Sequence, residues 1–139
     1  MLNVTNAVAL ARAMDSPIDH VVRDLLRQRG DQLLEDTGGE YDLGDLAHFI
    51  VVEAHDAVAD IEAAAGYPLI NSPAFEWVAD HGGWYEAVTI LSDDGFGIVL
   101  FVPDSDEVDR SLLALLRDLA RPLTSDGASA GQQGSSFTP

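Results

Sequence analysis

Residues 84–103 read WYEAVTILSDDGFGIVLFVP, the longest apolar stretch of the chain, divided once by a turn signal. Residues 84–92 and 96–102 are rich in β-branched and aromatic side chains. Ser92-Asp93-Asp94-Gly95 between them has turn chemistry, with Gly95 free to take a positive φ. The pattern predicts an antiparallel hairpin. In its second arm Ile98, Val99, Leu100, Phe101 and Val102 are apolar at every position, so this strand is expected to be covered on both faces, inside a sheet.

Working outward, residues 46–53 (LAHFIVVE) read as a third strand, with Phe49, Ile50, Val51 and Val52 at its centre. An Ala-rich helix over 55–65 closes at Gly66. Residues 73–80 (PAFEWVAD) read as a short helix capped by Ser72, and His81-Gly82-Gly83 as the hinge into the hairpin. After the hairpin, Leu112, Leu115, Leu116 and Leu119 recur at helical spacing in a helix over 107–121, with acids at its start and Arg117 and Arg121 at its end, as the helix dipole favours. Before the third strand, Ser16-Pro17 opens a helix over 17–35 that carries Ile18, Val22, Leu25, Leu26, Arg29 and Leu33 on one broad face. Residues 1–15 suit a short, weakly amphipathic helix capped at Asn3 or Thr5. The expected fold is therefore α+β: a small three-stranded, mostly antiparallel sheet (46–53, 84–92, 96–102) packed with helices (17–35, 55–65, 73–80, 107–121). Residues 1–123 form one domain, and the Gly/Ser/Gln-rich residues 124–139 a disordered tail.

The chain has 139 residues, 47% of them hydrophobic, which suits a single domain with a substantial core. No stretch approaches the ~18 apolar residues of a membrane span, and no basic region followed by an apolar one opens the chain, so a soluble, cytoplasmic protein is expected. There is no cysteine, hence no disulfide and no thiolate nucleophile.

Charge is the most informative property. Twenty-four acidic residues face seven basic ones, for a formal net charge of −17. All seven are Arg, and residues 30–109 contain none of them against 19 Asp and Glu. Such a region cannot neutralise itself; it presents a negative field that repels nucleic acid and anionic lipid and attracts basic partners or cations. The same composition also keeps a protein soluble whatever else it does.

Specific chemistry is thinly signalled. There is no Gly-x-Ser-x-Gly, no glycine-rich phosphate loop and no cofactor motif, so no cofactor is expected. His48, His55 and His81, with Glu53, Asp56 and Asp80 in the same segments, are the alternative: a metal-binding domain or cation-dependent enzyme, although their spacing matches no zinc-ligand pattern. Aromatic and acidic residues cluster in 75–86, where both Trp77 and Trp84 fall, and Trp is over-represented where interfaces concentrate energy. A self-complementary Trp77/Trp84 surface would instead make a homodimeric scaffold.

The segment FEWVADHGGWYEAVTILSDDGFGIVLFVPD (75–104), with DLGDLAHFIVVE (42–53) and the Leu-rich last helix, resembles an uncharacterised family of small acidic bacterial proteins carried on plasmids and integrative conjugative elements. The resemblance spans about residues 42–120. It implies a bacterial mobile-element setting, and it supplies no activity that can be placed on a residue. Small acidic proteins of such elements include inhibitors that imitate the charge of DNA, an analogy of context and charge. Together these readings lead to a non-enzymatic interaction protein that binds a basic, nucleic-acid-binding protein through Asp42, Asp45, Asp56, Asp60, Glu62, Glu76, Asp80, Asp93 and Asp94, with Trp77 and Trp84.

Overall fold

The hairpin forms as its sequence requires. Strand β4 (Trp84–Ile90) pairs antiparallel with β5 (Gly97–Pro103), from Trp84↔Pro103 to Ile90↔Gly97. The computed structural model describes residues 1–38, 42–69, 75–92 and 96–120, so the turn acids Asp93 and Asp94 and the 124–139 tail lie outside the described residues. β5 is the central strand, and Gly97 through Val102 are all buried, as an uninterrupted apolar run demands.

The α+β class holds, but the expected three-stranded, mostly antiparallel sheet does not. The sheet has five strands in the order β1-β2-β5-β4-β3 and is mixed. β2 (Ala47–Val51), the expected third strand, runs parallel to β5, from Ala47↔Gly97 to Val51↔Phe101. Parallel neighbours need a long crossover, and here, among the described residues, it carries one helix and two strands before β5.

Two strands were hidden in segments read as helix. Residues 1–15 begin as β1 (Leu2–Val4), antiparallel to β2, and only then form α1 (Ala7–Met14), capped by Asn6 rather than Asn3 or Thr5. The Asn6 side chain accepts from the Ala9 amide at 2.8 Å. Residues 77–80 of the expected 73–80 helix are β3 (Trp77–Asp80), antiparallel to β4 with Trp77 opposite Val88. The i, i+3 pair Phe75 and Val78 imitates one helical turn, but a four-residue segment has no resolvable period. What decides it is the following turn: Gly82 and Gly83 take φ of 72° and 112°, folding β3 back on β4.

The helices are shorter than expected. α2 (His20–Asp36) starts at the Asp19 cap, not at Ser16-Pro17, because Asp19 accepts from the Val21 amide while the Ser16 hydroxyl turns back to Ala13 O. It runs unbroken through Gly30, which is buried: a Cβ there would stand 2.7 Å from Leu10 of α1, so the missing side chain lets the two helices close up. A single turn, α3 (Leu43–Leu46), precedes β2. α4 (Val58–Ala65) ends at Gly66 with φ 69°, the left-handed cap its sequence announces. α5 (Arg110–Leu119) is capped by Asp109.

The sheet separates two cores. On one face Ile50, Ala87, Ile98, Leu100 and Val102 pack with Ile61 of α4 and with Leu112, Leu113 and Leu116 of α5. On the other, Val4, Phe49, Val51, Val99 and Phe101 pack with Ala13 of α1 and with Val22, Leu25 and Leu26 of α2. There Phe49 and Phe101 stack across parallel strands, centroids 6.3 Å apart. Each fully buried aliphatic or aromatic side chain contributes about 1.5–3 kcal/mol, so both cores are substantial. On the second face the apolar cover stops short of the β3–β4 edge.

Candidate functional site

On β4 the side chains of Trp84, Glu86, Val88 and Ile90 alternate onto the face that α2 covers, and Trp77 joins them opposite Val88. α2 covers the middle of this row and leaves its far end open. Trp77 is 47% exposed and Ile90 44%. Between them and α2 lies a groove of about 320 Å³ lined by Leu33 and Asp36 of α2, by Leu46, and by Trp77, Val88 and Ile90 of the sheet.

Glu86 closes the inner end of this groove. It is the one charged side chain fully buried among the described residues. Arg29 grips its carboxylate with two bonds, Nε to Oε2 at 2.7 Å and Nη2 to Oε1 at 3.0 Å, and His81 Nε2 donates to Oε1 at 2.8 Å. The bidentate grip is the strong geometry for this pair, and the hydrogen bond to Glu86 raises the guanidinium's already high pKa. A buried carboxylate left unpaired would be costly, so this clamp fixes α2 over β4. Arg29 stands 57 residues from Glu86, His81 only five residues before it in the turn into β4, and between them they take up both carboxylate oxygens. The arrangement is a structural latch, with no nucleophile in it.

Trp77 and Trp84 do not form the single aromatic surface that their closeness in sequence suggested. They share a face of the sheet, but Glu86 lies between them. Trp84 is half-buried against the second core and borders a separate cleft of about 690 Å³ with Leu2, Pro17, Ile18 and Pro103. Trp77 alone joins the open groove.

The acidic candidates divide by occupation. Asp56 accepts from the Glu53 amide at 2.8 Å, Glu62 from the Leu69 amide, and Asp80 from the Gly82 amide at 2.9 Å. These three shape turns and loop ends. Asp42 at the start of α3, Asp45 within it, Asp60 in the first turn of α4 and Glu76 before β3 are exposed, with no side-chain bond to another described residue. They are the acids free to meet a partner. Glu35 and Asp36 add to them in the last turn of α2, where the helix dipole disfavours negative charge and no basic residue offsets it.

The described arginines do little to neutralise this surface. Arg23 donates to the backbone oxygens of Ser16 and Ile18, Arg27 pairs with Asp24, Arg29 with Glu86, and Arg117 with Asp104 at 2.7 Å. Asp104 also accepts from the Tyr85 hydroxyl, whose pKa burial raises.

The three histidines of the metal alternative are not brought together. His48, on β2, donates from Nε2 to Asn3 of β1 at 2.9 Å, and burial lowers its pKa. His55 is exposed in the loop after β2, and His81 belongs to the Glu86 latch. Among the described residues no three His, Asp or Glu side chains are placed to hold a metal ion. No described helix is long and apolar enough to cross a membrane.

Sequence reasoning missed the latch, although both halves left a trace. Arg29 falls in the apolar register of α2, and Glu86 sits in the alternating apolar row of β4. An opposite charge on the inward face of each of two elements is the signal of a buried pair. Comparison with known proteins adds nothing to this geometry: no family model, no curated protein and no solved structure matches the chain.

Proposed function

We propose that this is a non-enzymatic, acidic interaction protein of a bacterial mobile element, which docks on a basic, nucleic-acid-binding protein of the host or the element. The observation that carries the proposal is the acid of residues 30–109, of which, among the described residues, only Glu53, Asp56, Glu86, Asp104 and Asp106 pair with an arginine or with the N-terminal ammonium. Nineteen carboxylates stand there without one cation in the same stretch, and the one arginine that reaches into it from α2 is consumed by buried Glu86. Charge kept on a helix end whose dipole opposes it costs stability, which favours a role outside the fold. The mobile-element setting rests on the sequence resemblance alone.

A field of this sign speeds encounter with a basic partner and makes the complex salt-sensitive. The test is affinity capture from a bacterial lysate with elution by a salt gradient. One or two basic nucleic-acid-binding proteins, released as the salt rises, are expected. Background alone would reduce the charge to a device for solubility.

A further inference from the structure

We infer that the groove between α2 and β3-β4 is the docking site for an amphipathic basic segment of the partner, which seats apolar side chains against Trp77 and Ile90 and sets Lys or Arg against the acidic rim. This inference rests on the interaction reading above and gives it a location.

Three observations point the same way. First, Trp77 and Ile90 lie on the same face beside Val88, one directly opposite it and one two residues along β4, and both are nearly half exposed. An exposed apolar strip that includes a Trp has the composition of an interface anchor. Second, the groove's volume, about 320 Å³, is at the lower end of ligand pockets, ~300–1,000 Å³. A helix ~10–12 Å across cannot sink into it, but the anchor side chains along one helix face can. Third, the groove's own charge is acidic. Asp36 lines it from the last turn of α2, exposed and with no basic residue in that turn. The one cation among the described lining residues, Arg29, is held by Glu86.

Charge also decides against a second copy of this chain as the occupant. Dimerisation through the groove would bring two equal acidic rims together on molecules of formal net charge −17. A cationic segment meets no such repulsion.

The test uses the full chain and two fluorescein-labelled peptides of identical Leu/Lys composition, one amphipathic as a helix and one scrambled so that no apolar face forms. Fluorescence anisotropy should show saturable, salt-sensitive binding of the amphipathic peptide and at least tenfold weaker binding of the scrambled one. Trp77→Ala and Ile90→Ser should each weaken the first by about tenfold or more. Because both side chains are largely exposed, circular dichroism and thermal unfolding should show these variants folded. Equal affinity for the two peptides, or unchanged affinity in both variants, overturns the groove.

The variant Asp42→Lys/Asp45→Lys/Asp60→Lys/Glu76→Lys separates this inference from the one beneath it. If it alone loses the peptide while Trp77→Ala keeps it, the acidic surface binds and the groove does not. If Trp77→Ala loses the peptide and the four-fold variant keeps it, the apolar seat stands, and the electrostatic part of this inference falls together with the wider acidic reading. Light scattering that shows a dimer dissociated by Trp77→Ala, or tighter peptide binding in Phe137→Ala, a change at the aromatic residue of segment 124–139, would assign the groove to a second copy or to the chain's own C-terminal residues, and either result overturns the proposal.

Discussion

The two faces of this sheet are finished differently. Over one, α4 and α5 close a core of Ile, Leu and Val across β2, β5 and β4. Over the other, α1, α2 and α3 cover β1, β2 and β5, and coverage ends at a charged latch beyond which Trp77 and Ile90 meet water. The same strands supply both faces, since alternate residues of β4 and β5 point to opposite sides. Stability is concentrated where helices seal the sheet, and the surface left for recognition is where they stop.

This contrast can be broken at its strongest point first. Leu112 and Leu116, at 1% and 0% exposure, fill the sealed face from α5. Either change to Ala should cost about 3–5 kcal/mol by transfer and cavity terms together, read as a lower chemical-denaturation midpoint. A loss under 1 kcal/mol would mean that α5 is not part of the core.

Next comes the latch. Arg29→Ala leaves Glu86 buried with only His81 as partner. Removing one member of a buried pair costs about 3–5 kcal/mol, and the one-third exposure of Arg29 lowers this to about 2–3 kcal/mol. The double change Arg29→Met/Glu86→Leu should recover most of the loss, because apolar replacement of both partners removes the desolvated charge altogether. If the double variant is as unstable as the single, the pair does more than hold α2 in place.

Acid should act on the sealed face, more weakly. His48 has its pKa lowered by burial, so the folded state favours the neutral ring. Its contribution is complete above the ordinary histidine value and is lost as pH falls through the lowered folded value. Asp109, the α5 cap, has its carboxyl lowered first by the Ser111 hydroxyl and then by the Ser111 amide, and its contribution disappears in the same direction at more acidic pH. Urea midpoints measured from about pH 7 to pH 5 should therefore fall less steeply in His48→Gln than in the wild type; parallel curves would remove His48 from the account. Smallest of all, Trp77→Ser should leave the unfolding midpoint within about 0.5 kcal/mol of wild type. A large loss there would make Trp77 core and close the groove.

How far the fold could be read from sequence follows from signal length. The 84–102 hairpin, α4 with its Gly66 cap and the Leu-rich α5 each carry a full period of pattern, and each forms. β1 and β3 have three and four residues. At that length neither a two-residue nor a 3.6-residue period resolves, and pairing with a longer strand decides the conformation. The parallel alignment of β2 with β5 is a property of the crossover and leaves no mark on either strand. Among the site residues, acidity was legible because it is compositional. What each acid does was not: Asp56, Glu62 and Asp80 are occupied by backbone amides that only the folded loops present. Arg29 and Glu86 are 57 residues apart and meet through tertiary structure alone.

The central claim, that the acidic surface binds a basic protein, is tested most directly by paired capture. Wild-type chain and the variant Asp42→Lys/Asp45→Lys/Asp60→Lys/Glu76→Lys, both shown to be folded, are immobilised at equal density and exposed to the same bacterial lysate, and each is eluted through one salt gradient. The account predicts that basic nucleic-acid-binding proteins are retained by the wild type, leave it as the salt rises, and are absent from the variant. Identical retention by the two, or retention by neither, would contradict it.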